Sequence, residues 1–466
     1  MIELGGKRVY VVGLGTHGTG RQLTQVLARR RALVTVADLQ PAAQLAGELT
    51  QMEGIAFTAE LGEDYGRSIA GQDLVVISPA VPLQAPPLVR ARQAGVPVIG
   101  ELELAYLICR APIVAITGTK GKTTTTTLTG RLLADAGRAV RVGGNIGDPL
   151  VGIADQASPE ELVVAEVSSF QLEATERFQP RVGVLLNVYE DHLDRHGSPE
   201  AYLAAKARLF ANQRPEEVAV LNADEPAVAA LAPRLRARVL RYGLGEALAE
   251  EEGAVTVREG QFGLVAGGAF RPICPVGALR LPGRHNLSNA LAAISVLVAV
   301  GAPREGVERT LRGFSGVPHR LEPVGEVGGV LFVNDSQATC KQAVCYALEA
   351  YAPRRTVLIA GGRAKVPDFS DLAPAIVRWA QAVVLIGEAA PQLEQAVRAL
   401  GMEQVIRAES LPEAVAVAYR LAQPEGVVLL SPACASFDMF QNMEHRGQLF
   451  REAVAELAAQ GERDAA

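Results

Sequence analysis

Cysteine, long apolar runs and lysine are all scarce in this chain of 466 residues. Its five cysteines are odd in number and form no Cys-x-x-Cys pair, so we expect neither a disulfide scaffold nor a structural zinc site. The longest uncharged stretch, residues 286–303, includes asparagines and serines, which predicts a buried helix instead of a membrane span. No secretory leader is expected, because charges and glycines interrupt the first apolar run. These absences predict a soluble cytoplasmic protein.

Neither sign of charge dominates the composition. There are 45 Lys and Arg residues against 51 Asp and Glu residues, a formal net charge of −6, which argues against a nucleic-acid partner. Only six of the basic residues are lysines. Arginine can supply surface charge, but it cannot lose its proton or react as an amine. Each lysine is therefore a candidate for chemistry, and we expect a monomer with small-molecule partners.

Short β-rich segments alternate with helical patterns along the chain, which predicts three successive α/β units. We predict a Rossmann-like N-terminal domain over residues 1–101, a central P-loop ATPase-like domain over 102–317 and a Rossmann-like C-terminal domain over 318–466. A β-leaning stretch near 253–283 predicts a small sheet excursion, and the turn-rich segment 314–325 marks the second boundary. In such sheets, ligands bind beyond the carboxyl ends of the strands.

A glycine-rich turn follows the first predicted strand. It reads Gly13-Leu-Gly15-Thr-His-Gly18, and Asp38 closes the next strand. These glycines allow a pyrophosphate to approach a helix N-terminus, and the aspartate is suited to a ribose hydroxyl. The same turn would also serve simply to pack a helix on a strand, so both interpretations stand. An NAD-dependent oxidoreductase is one class that this motif alone would permit.

A phosphate-binding loop follows the first strand of the central unit. Residues 117–124 read Thr-Gly-Thr-Lys-Gly-Lys-Thr-Thr, although Ile116 stands where the full eight-residue pattern has its first glycine. Backbone amides of such a loop bind phosphates, Lys122 supplies a positive charge and Thr123 can reach Mg²⁺. We therefore predict that this unit binds ATP or GTP.

Three further residues of the central unit indicate a metal site. Glu166 ends an apolar strand, where a buried carboxylate requires a partner or a metal ion. His192 lies among carboxylates after another strand, which suits a divalent cation, although a lone histidine is more often structural. Lys206 lies in a largely apolar helix. It is either a surface lysine with a buried stem or a desolvated amine able to form a carbamate with CO₂.

Polar loops also follow three strands of the C-terminal unit. They cover residues 335–339, 361–365 and 431–438. Because the carboxyl ends of parallel strands meet at one edge of a sheet, three such loops predict a binding surface there.

These motifs and several others occur in the order and spacing of one family. The segments are 117–124 (TGTKGKTT), 143–147 (GGNIG), 166–173 (EVSSFQLE), 187–196 (NVYEDHLDRH), 283–293 (GRHNLSNALAA), 316–322 (GVPHRLE), 334–339 (NDSQAT) and 431–447 (SPACASFDMFQNMEHRG). With them, the chain resembles the Mur ligases over about residues 7–458. The resemblance implies an ATP-dependent amide ligase of cytoplasmic peptidoglycan synthesis that joins D-glutamate to UDP-N-acetylmuramoyl-L-alanine through an acyl phosphate. A related ligase with another acceptor, or a non-catalytic nucleotide-binding regulator, is an alternative.

The resemblance also implies a role for each matching residue. Catalysis would use Lys122, His192 and Lys206, and two Mg²⁺ ions would be bound by Thr123, Glu166, His192 and carbamylated Lys206. ATP would contact Gly118, Thr119, Lys120, Gly121, Lys122, Thr123, Thr124, Asn286, Arg320 and Asp335. The UDP substrate would contact Gly15, Thr16, Asp38, Ser78 and Asn145, so the first glycine turn would hold a diphosphate other than that of NAD. D-Glutamate would contact Thr339, Lys365, Ser436 and Phe437.

The chain departs from the family pattern at three positions. Lys120 stands where the family usually has Asn, and Gln337 and Cys340 stand where its acceptor motif has Lys and Asn. The missing lysine charge would weaken binding of an acceptor carboxylate. Lys341 lies four residues beyond Gln337, and it would share a helical face with it and compensate if the segment is helical.

Overall fold

A computed structural model describes residues 2–15, 18–189, 191, 193–281, 283–339, 341–352, 354–364 and 368–465. The chain divides into two compact units, Met1–Phe314 and Ser315–Ala466. Within the described ranges, every helix is either too short or too polar to span a lipid bilayer. The four cysteines in those ranges are free thiols: Cys109, Cys274, Cys345 and Cys434.

The first sheet of unit Met1–Phe314 is formed by the N-terminal residues. Its strands are β1 (Arg8–Val12), β2 (Leu33–Asp38), β3 (Thr58–Leu61), β4 (Leu74–Ile77) and β5 (Val98–Gly100). Its helices are α1 (Thr19–Arg29), α2 (Ala46–Thr50), α3 (Pro86–Gln93) and α4 (Glu101–Ile108). All strands are parallel, in the order β3-β2-β1-β4-β5, so the strand order reverses between β1 and β4. Such a reversal opens a crevice for ligands at the carboxyl ends of the strands.

The second sheet belongs to the same unit and has nine strands. They are β6 (Ile113–Thr117), β7 (Val140–Gly144), β8 (Leu162–Glu166), β9 (Val182–Leu185), β10 (Val218–Asn222), β11 (Arg238–Gly243), β12 (Val255–Arg258), β13 (Gln261–Ala266) and β14 (Ala269–Pro275). The helices are α5 (Lys122–Asp135), α6 (Leu150–Gln156), α7 (Ser169–Glu173), α8 (Leu193–His196), α9 (Pro199–Ala207), α10 (Pro226–Ala229), α11 (Arg284–Ala299) and α12 (Val307–Gly313).

The strand order of the second sheet is β14-β13-β12-β11-β10-β9-β6-β8-β7. The central strands β6, β9 and β10 are buried along their whole length and consist mostly of Val, Ile, Leu and Ala, as parallel strands covered on both faces require. Strands β12, β13 and β14 are joined antiparallel, so the predicted sheet excursion near 253–283 forms one edge of the central sheet.

The third sheet forms unit Ser315–Ala466. Its strands are β15 (Glu322–Val327), β16 (Val330–Asn334), β17 (Thr356–Gly361), β18 (Ala380–Ile386), β19 (Val405–Arg407) and β20 (Val427–Ala433). Its helices are α13 (Lys341–Tyr351), α14 (Ala373–Trp379), α15 (Ala390–Ala399), α16 (Leu411–Ala422) and α17 (Met443–Ala465). The order is β15-β16-β20-β17-β18-β19, and all neighbours are parallel except β15 and β16.

The segment 314–325, expected to be a turn-rich boundary, is partly strand. Glu322 already opens β15 and pairs with Asn334 of β16. The last residues of this segment therefore belong to the third sheet, because the antiparallel ladder fixes their backbone.

Helix α4 joins the first sheet to the second through a buried carboxylate. Glu103 is 1% exposed and accepts backbone N–H bonds from Glu176, Arg177 and Phe178 at 2.9, 2.9 and 3.1 Å. The Phe178 ring packs edge-on against Tyr106 of the same helix at 5.7 Å. A carboxylate that accepts several N–H bonds satisfies amides that would otherwise be buried without partners.

Candidate active site

The phosphate-binding loop connects β6 to α5, and an asparagine side chain from beyond β9 fixes its shape. Asn187 Oδ1 accepts the backbone N–H groups of Thr119 and Lys120 at 3.0 and 2.8 Å, and Nδ2 donates to the Lys120 carbonyl at 3.1 Å. An amide side chain that both donates and accepts can bond the backbone N–H and C=O groups of the loop, as a neighbouring strand would. The loop is therefore held in one conformation before any ligand arrives.

Gly121 brings α11 against this loop. It has φ of +82°, and a Cβ on it would lie 2.3 Å from Asn289 Oδ1. Asn289 Oδ1 also accepts the Thr125 hydroxyl at 3.3 Å, and Asn289 Nδ2 donates to Asn286 Oδ1 at 3.3 Å. Asn286, predicted to contact the nucleotide, is thus linked to the phosphate loop through one side chain.

Lys122 and Lys206 share an acceptor in this loop. Both Nζ atoms donate to the Gly118 carbonyl oxygen, at 3.0 Å from Lys122 and 2.9 Å from Lys206. Lys206 is 1% exposed, and its Nζ lies 4.4 Å from the centre of the Tyr202 ring. Burial and the nearby Lys122 charge lower the pKa of Lys206 to about 7. Lys206 is therefore a desolvated amine, which excludes the alternative of a solvated surface lysine.

Glu166 ends β8 with one oxygen bonded and one without a partner. Its Oε1 accepts Asn145 Nδ2 at 2.9 Å. Its Oε2 is buried, and no donor among the described residues reaches it. A buried carboxylate oxygen without a donor fits a divalent cation, which would supply the missing positive charge. Thr123, the other predicted ligand among the described residues, is 6% exposed in the first turn of α5.

The described ranges contain no cluster of three or more His, Cys, Asp or Glu that could hold a metal. His192, the predicted metal ligand, lies outside the described residues, as do Thr16 and Lys365. Among the described residues, the buried Glu166 oxygen is therefore the observation that favours a cation, and ligation by Thr123 and by a carbamate on Lys206 stays a prediction.

The second histidine of the 187–196 motif has a packing environment. His196 Nε2 lies 3.0 Å from Ser169 Oγ, and its Nδ1 lies 3.0 Å from Glu173 Oε1. The ring contacts Phe170 and Tyr202, with centroids 5.6 and 5.0 Å apart. The His196 side chain is 2% exposed, so it supports the Tyr202 ring and is not accessible to a substrate.

Three of the predicted UDP-substrate residues meet at the carboxyl ends of β1, β2 and β4. Gly15 N–H donates to Asp38 Oδ2 at 3.0 Å, and the Ser78 hydroxyl donates to the Gly13 carbonyl at 2.5 Å. Asp38 Oδ1 also accepts the Gln40 N–H at 2.9 Å. Asp38 thus holds the glycine turn through Oδ2 and the loop after β2 through Oδ1. Asn145 lies elsewhere, beside Glu166 on the second sheet.

In the third sheet, a buried arginine joins two of the loops predicted to bind the acceptor. Arg446 of α17 is fully buried, and it donates from Nε to Ser336 Oγ at 3.0 Å and from Nη2 to the Ser336 carbonyl at 2.9 Å. Its Nη1 donates to the Cys434 carbonyl at 3.2 Å. Burial lowers the pKa of Arg446 to about 10. This guanidinium therefore sets the distance between the loops that carry Thr339 and Ser436.

The predicted acceptor residues differ in exposure. Ser436 is 2% exposed, whereas the neighbouring Phe437 is 63% exposed. Thr339 is half-buried after β16. An exposed aromatic ring beside a buried hydroxyl is suited to cover a small bound molecule.

The expectation that Lys341 shares a helical face with Gln337 is wrong, whereas its compensation for the missing lysine stays a prediction. Lys341 is the first residue of α13, so Gln337 precedes the helix and shares no helical face with it. The Lys341 ammonium bonds Asp371 Oδ1 at 2.7 Å and the Asp368 carbonyl at 2.8 Å. Its charge is therefore matched by Asp371.

A strained turn carries Arg320. His319 and Leu321 on either side of it have φ of +62° and +43°, which L-residues rarely adopt. Glu322 Oε2 accepts the His319 N–H at 2.8 Å, and Asp335 Oδ1 accepts the Leu321 N–H at 3.1 Å. Asp335 is thus linked to the Arg320 turn, as expected if both bind one ligand.

Sequence reasoning gave no role to Asn187, Arg446 or Glu101. Asn187 and Arg446 lay inside quoted motifs, and a polar residue directly after an apolar strand was the available signal for Asn187. Glu101 is 2% exposed at the start of α4. An acidic residue within an apolar helix was the only signal for it.

Family comparisons cover most of the chain in three consecutive parts. Residues 7–100 match the MurD-like N-terminal domain of Mur ligases, and residues 116–297 match the Mur ligase middle domain. Residues 319–434 match the glutamate ligase domain of Mur ligases.

Curated relatives are similar over nearly their full length. A UDP-N-acetylmuramoylalanine–D-glutamate ligase of Pelotomaculum thermopropionicum is 45% identical over 451 residues, covering 97% of this chain and 98% of that protein. A protein of the same name from Acidobacterium capsulatum is 42% identical, covering 97% of each chain.

Solved structures share the architecture. The UDP-N-acetylmuramate–alanine ligase of Thermotoga maritima has a TM-score of 0.58 at 21% identity, covering 97% of this chain and 99% of that one. MurF of Acinetobacter baumannii has a TM-score of 0.58 at 17% identity, covering 90% and 91%. At such identities the likeness concerns the fold, and it confirms the predicted α/β architecture.

We predict that Gly121→Ala weakens Mg²⁺-ADP binding at least about tenfold, because the new Cβ must displace Asn289 and the loop it supports. Gly137→Ala is the matched control: Gly137 has φ of +81°, but a Cβ there meets no atom within 4 Å. Both variants should lose about 1 kcal/mol of stability from the left-handed backbone. Calorimetric titration with ADP tests this, and equal ADP affinities of the two variants would contradict it.

We also predict a pH-dependent stability from Asp335. Burial raises the pKa of this carboxyl to about 6, against 3.8 for a free one. Between about pH 4 and 6 the folded state holds a proton that the unfolded state has released, so this stabilising contribution falls as pH rises. The Tm of Asp335→Asn relative to wild type should therefore rise from pH 4 to 6 and level off above pH 7. Parallel Tm profiles in differential scanning fluorimetry would contradict this.

Proposed function

Because the chain belongs to the Mur ligase family, we propose that it is the ATP-dependent ligase that joins D-glutamate to UDP-N-acetylmuramoyl-L-alanine. Two near-full-length relatives that bear this name support the choice of substrates. The observation that carries the chemistry is the phosphate loop with two lysines on the Gly118 carbonyl, together with a buried Glu166 oxygen that no donor in the described part of the chain reaches. An acid activated by a triphosphate requires these parts.

The reaction begins on the carboxylate of the UDP substrate. A carboxylate is inert to an amine, so one of its oxygens attacks the γ-phosphorus, the bond to ADP breaks and an acyl phosphate forms. Lys122 supplies positive charge for the phosphates as negative charge shifts toward ADP. Asn187 holds the Thr119 and Lys120 amides and so fixes the shape of the loop, and other backbone amides of the loop would bind the phosphate oxygens.

Divalent cations are part of this proposal. Bound Mg²⁺ neutralises charge on the transferred phosphoryl group. Glu166 and Thr123 would hold one ion. We propose His192 and a second Mg²⁺ ion from the resemblance alone. Asn145 fixes the Glu166 carboxylate from its other oxygen, so Oε2 remains directed to the cation.

Lys206 is proposed to carry a carbamate. Its neutral amine attacks CO₂, the N–C bond forms and a proton leaves to water, which gives a carboxylate at the end of a long side chain. The Tyr202 ring and the Gly118 carbonyl hold the amine at the loop. The lowered pKa keeps much of the amine neutral near pH 7, which supports the reaction.

The amine of D-glutamate then attacks the acyl carbon, and phosphate leaves with its electron pair. We propose that Thr339, Lys365, Ser436 and Phe437 bind this amino acid, with Asn286, Arg320 and Asp335 on ATP and Gly15, Thr16, Asp38, Ser78 and Asn145 on the UDP substrate. Arg446 positions the acceptor loops. Domain boundaries near residues 101 and 317, a monomeric state and a cytoplasmic location complete the proposal.

The function is tested with the full-length protein, ATP, Mg²⁺ and UDP-N-acetylmuramoyl-L-alanine labelled with ¹⁸O in its carboxylate. We expect phosphate release only when D-glutamate is also present, with one ¹⁸O atom per phosphate, because the acyl phosphate transfers that oxygen. A panel of other amino acids is the control for the acceptor. Better turnover of another amino acid would assign a different ligase, and no phosphate release with any acceptor would leave a nucleotide-binding regulator.

The carbamate predicts a separate signal. With ¹³CO₂ the protein should show one carbamate resonance by ¹³C NMR at pH 8, which Lys206→Ala lacks and Lys341→Ala retains. The signal should diminish as pH falls below about 7, because the amine then takes up a proton. Lys206→Ala should lose activity and regain part of it with short carboxylic acids. Full activity of that variant without added acid would contradict the role.

A further inference from the structure

Glu101 is a buried carboxylate that the proposed chemistry does not use. It opens α4 directly after β5 and is 2% exposed. Its Oε1 accepts the Val151 N–H at 2.8 Å, and its Oε2 accepts Gln171 Nε2 at 3.3 Å. Both oxygens of this first-sheet residue are therefore bonded to donors that belong to the second sheet.

The two donors belong to helices that follow the two loops of the cation site. Val151 is in the first turn of α6, which follows the loop that carries Asn145. Gln171 is in α7 and forms a capping box with Ser168, in which Gln171 Oε1 accepts the Ser168 N–H at 2.9 Å. Ser168 follows Glu166 by two residues. Glu101 thus joins the helix after Asn145 to the helix after Glu166.

These two loops meet at Glu166 with little freedom. Asn145 donates from Nδ2 to Glu166 Oε1 and from its backbone N–H to the Glu166 carbonyl, each at 2.9 Å. A Cβ on Gly144 would lie 2.4 Å from that carbonyl oxygen, so the backbones are in direct contact. The direction of Glu166 Oε2 therefore depends on how α6 and α7 are placed relative to each other.

We propose that Glu101 is a positioning residue for divalent-cation binding at Glu166. Its two hydrogen bonds hold α6 and α7 at the separation at which Asn145 occupies one carboxylate oxygen and leaves the other for the cation. The inference rests on the proposed function, which places a cation at Glu166. It adds that Glu101, which directly follows the last strand of the first sheet, controls the affinity of Glu166 for a divalent cation.

Glu101→Gln tests this with little change of shape. The amide nitrogen of the new side chain faces a donor, either Val151 N–H or Gln171 Nε2, so one of the two bonds is lost. We expect the Kd for Mn²⁺, measured on the full chain without nucleotide from the electron paramagnetic resonance signal of free Mn²⁺, to rise about tenfold or more, as for other partners of metal ligands.

Glu103→Gln is the matched control. Glu103 lies two residues further along α4 and is equally buried. It accepts three backbone N–H groups from residues 176–178, which lie well beyond Glu166 in the sequence. Both variants should lower the Tm, but only Glu101→Gln should weaken Mn²⁺ binding. Equal weakening in both variants, or none in Glu101→Gln, would overturn the inference.

An exchange of the two partners gives a rescue. In Glu101→Gln combined with Gln171→Glu, the amide donates and the carboxylate accepts, so the bond between α4 and α7 forms again with donor and acceptor reversed. Mn²⁺ affinity should return toward wild type, and a double variant as weak as the single one would count against positioning. Glu166→Gln separates the two proposals: unchanged Mn²⁺ affinity there would refute the cation site itself, whereas its loss together with an unaffected Glu101→Gln would refute only the role of Glu101.

Discussion

The carbonyl oxygen of Gly118 accepts hydrogen bonds from two lysine side chains, and the arrangement of the site depends on that shared contact. Two ammonium groups around one buried oxygen repel each other, and burial disfavours the charged form of each. The pKa of the buried Lys206 is lowered toward neutrality, first by burial and then by the nearby Lys122 charge. The two lysines therefore share one backbone acceptor but differ in burial.

The surroundings of the shared carbonyl hold the Lys206 side chain in place. Tyr202 places its ring beside Lys206, and its hydroxyl is 3.4 Å from the Thr119 hydroxyl of the same loop. The ring is in turn supported by His196, whose Nδ1 is bonded to Glu173. Glu173 thus holds His196, which supports the Tyr202 ring. The position of the Lys206 amine is therefore determined by a series of packing and hydrogen-bond contacts.

The parts of the site that depend on local pattern could be predicted from the sequence. The phosphate loop follows a strand and precedes a helix, and Glu166 ends a strand, because glycine spacing and apolar runs determine both. The parts that depend on distant partners could not. Arg446 reaches Ser336 across 110 residues, and nothing in a helical sequence indicates which loop a polar side chain will meet. Lys341 shows the same limit, since its partner Asp371 lies thirty residues away.

The turn around Arg320 stores backbone energy, as the positive φ of Leu321 shows. Glycine at that position would relieve the strain, since it adopts this conformation without steric cost, but it would also remove the Leu321 side chain, which packs against the core of the third sheet. The same change would let the Arg320 guanidinium adopt several orientations. Backbone strain and side-chain packing therefore oppose each other at this one residue, and the contacts of the leucine hold the chain in a conformation that its backbone disfavours.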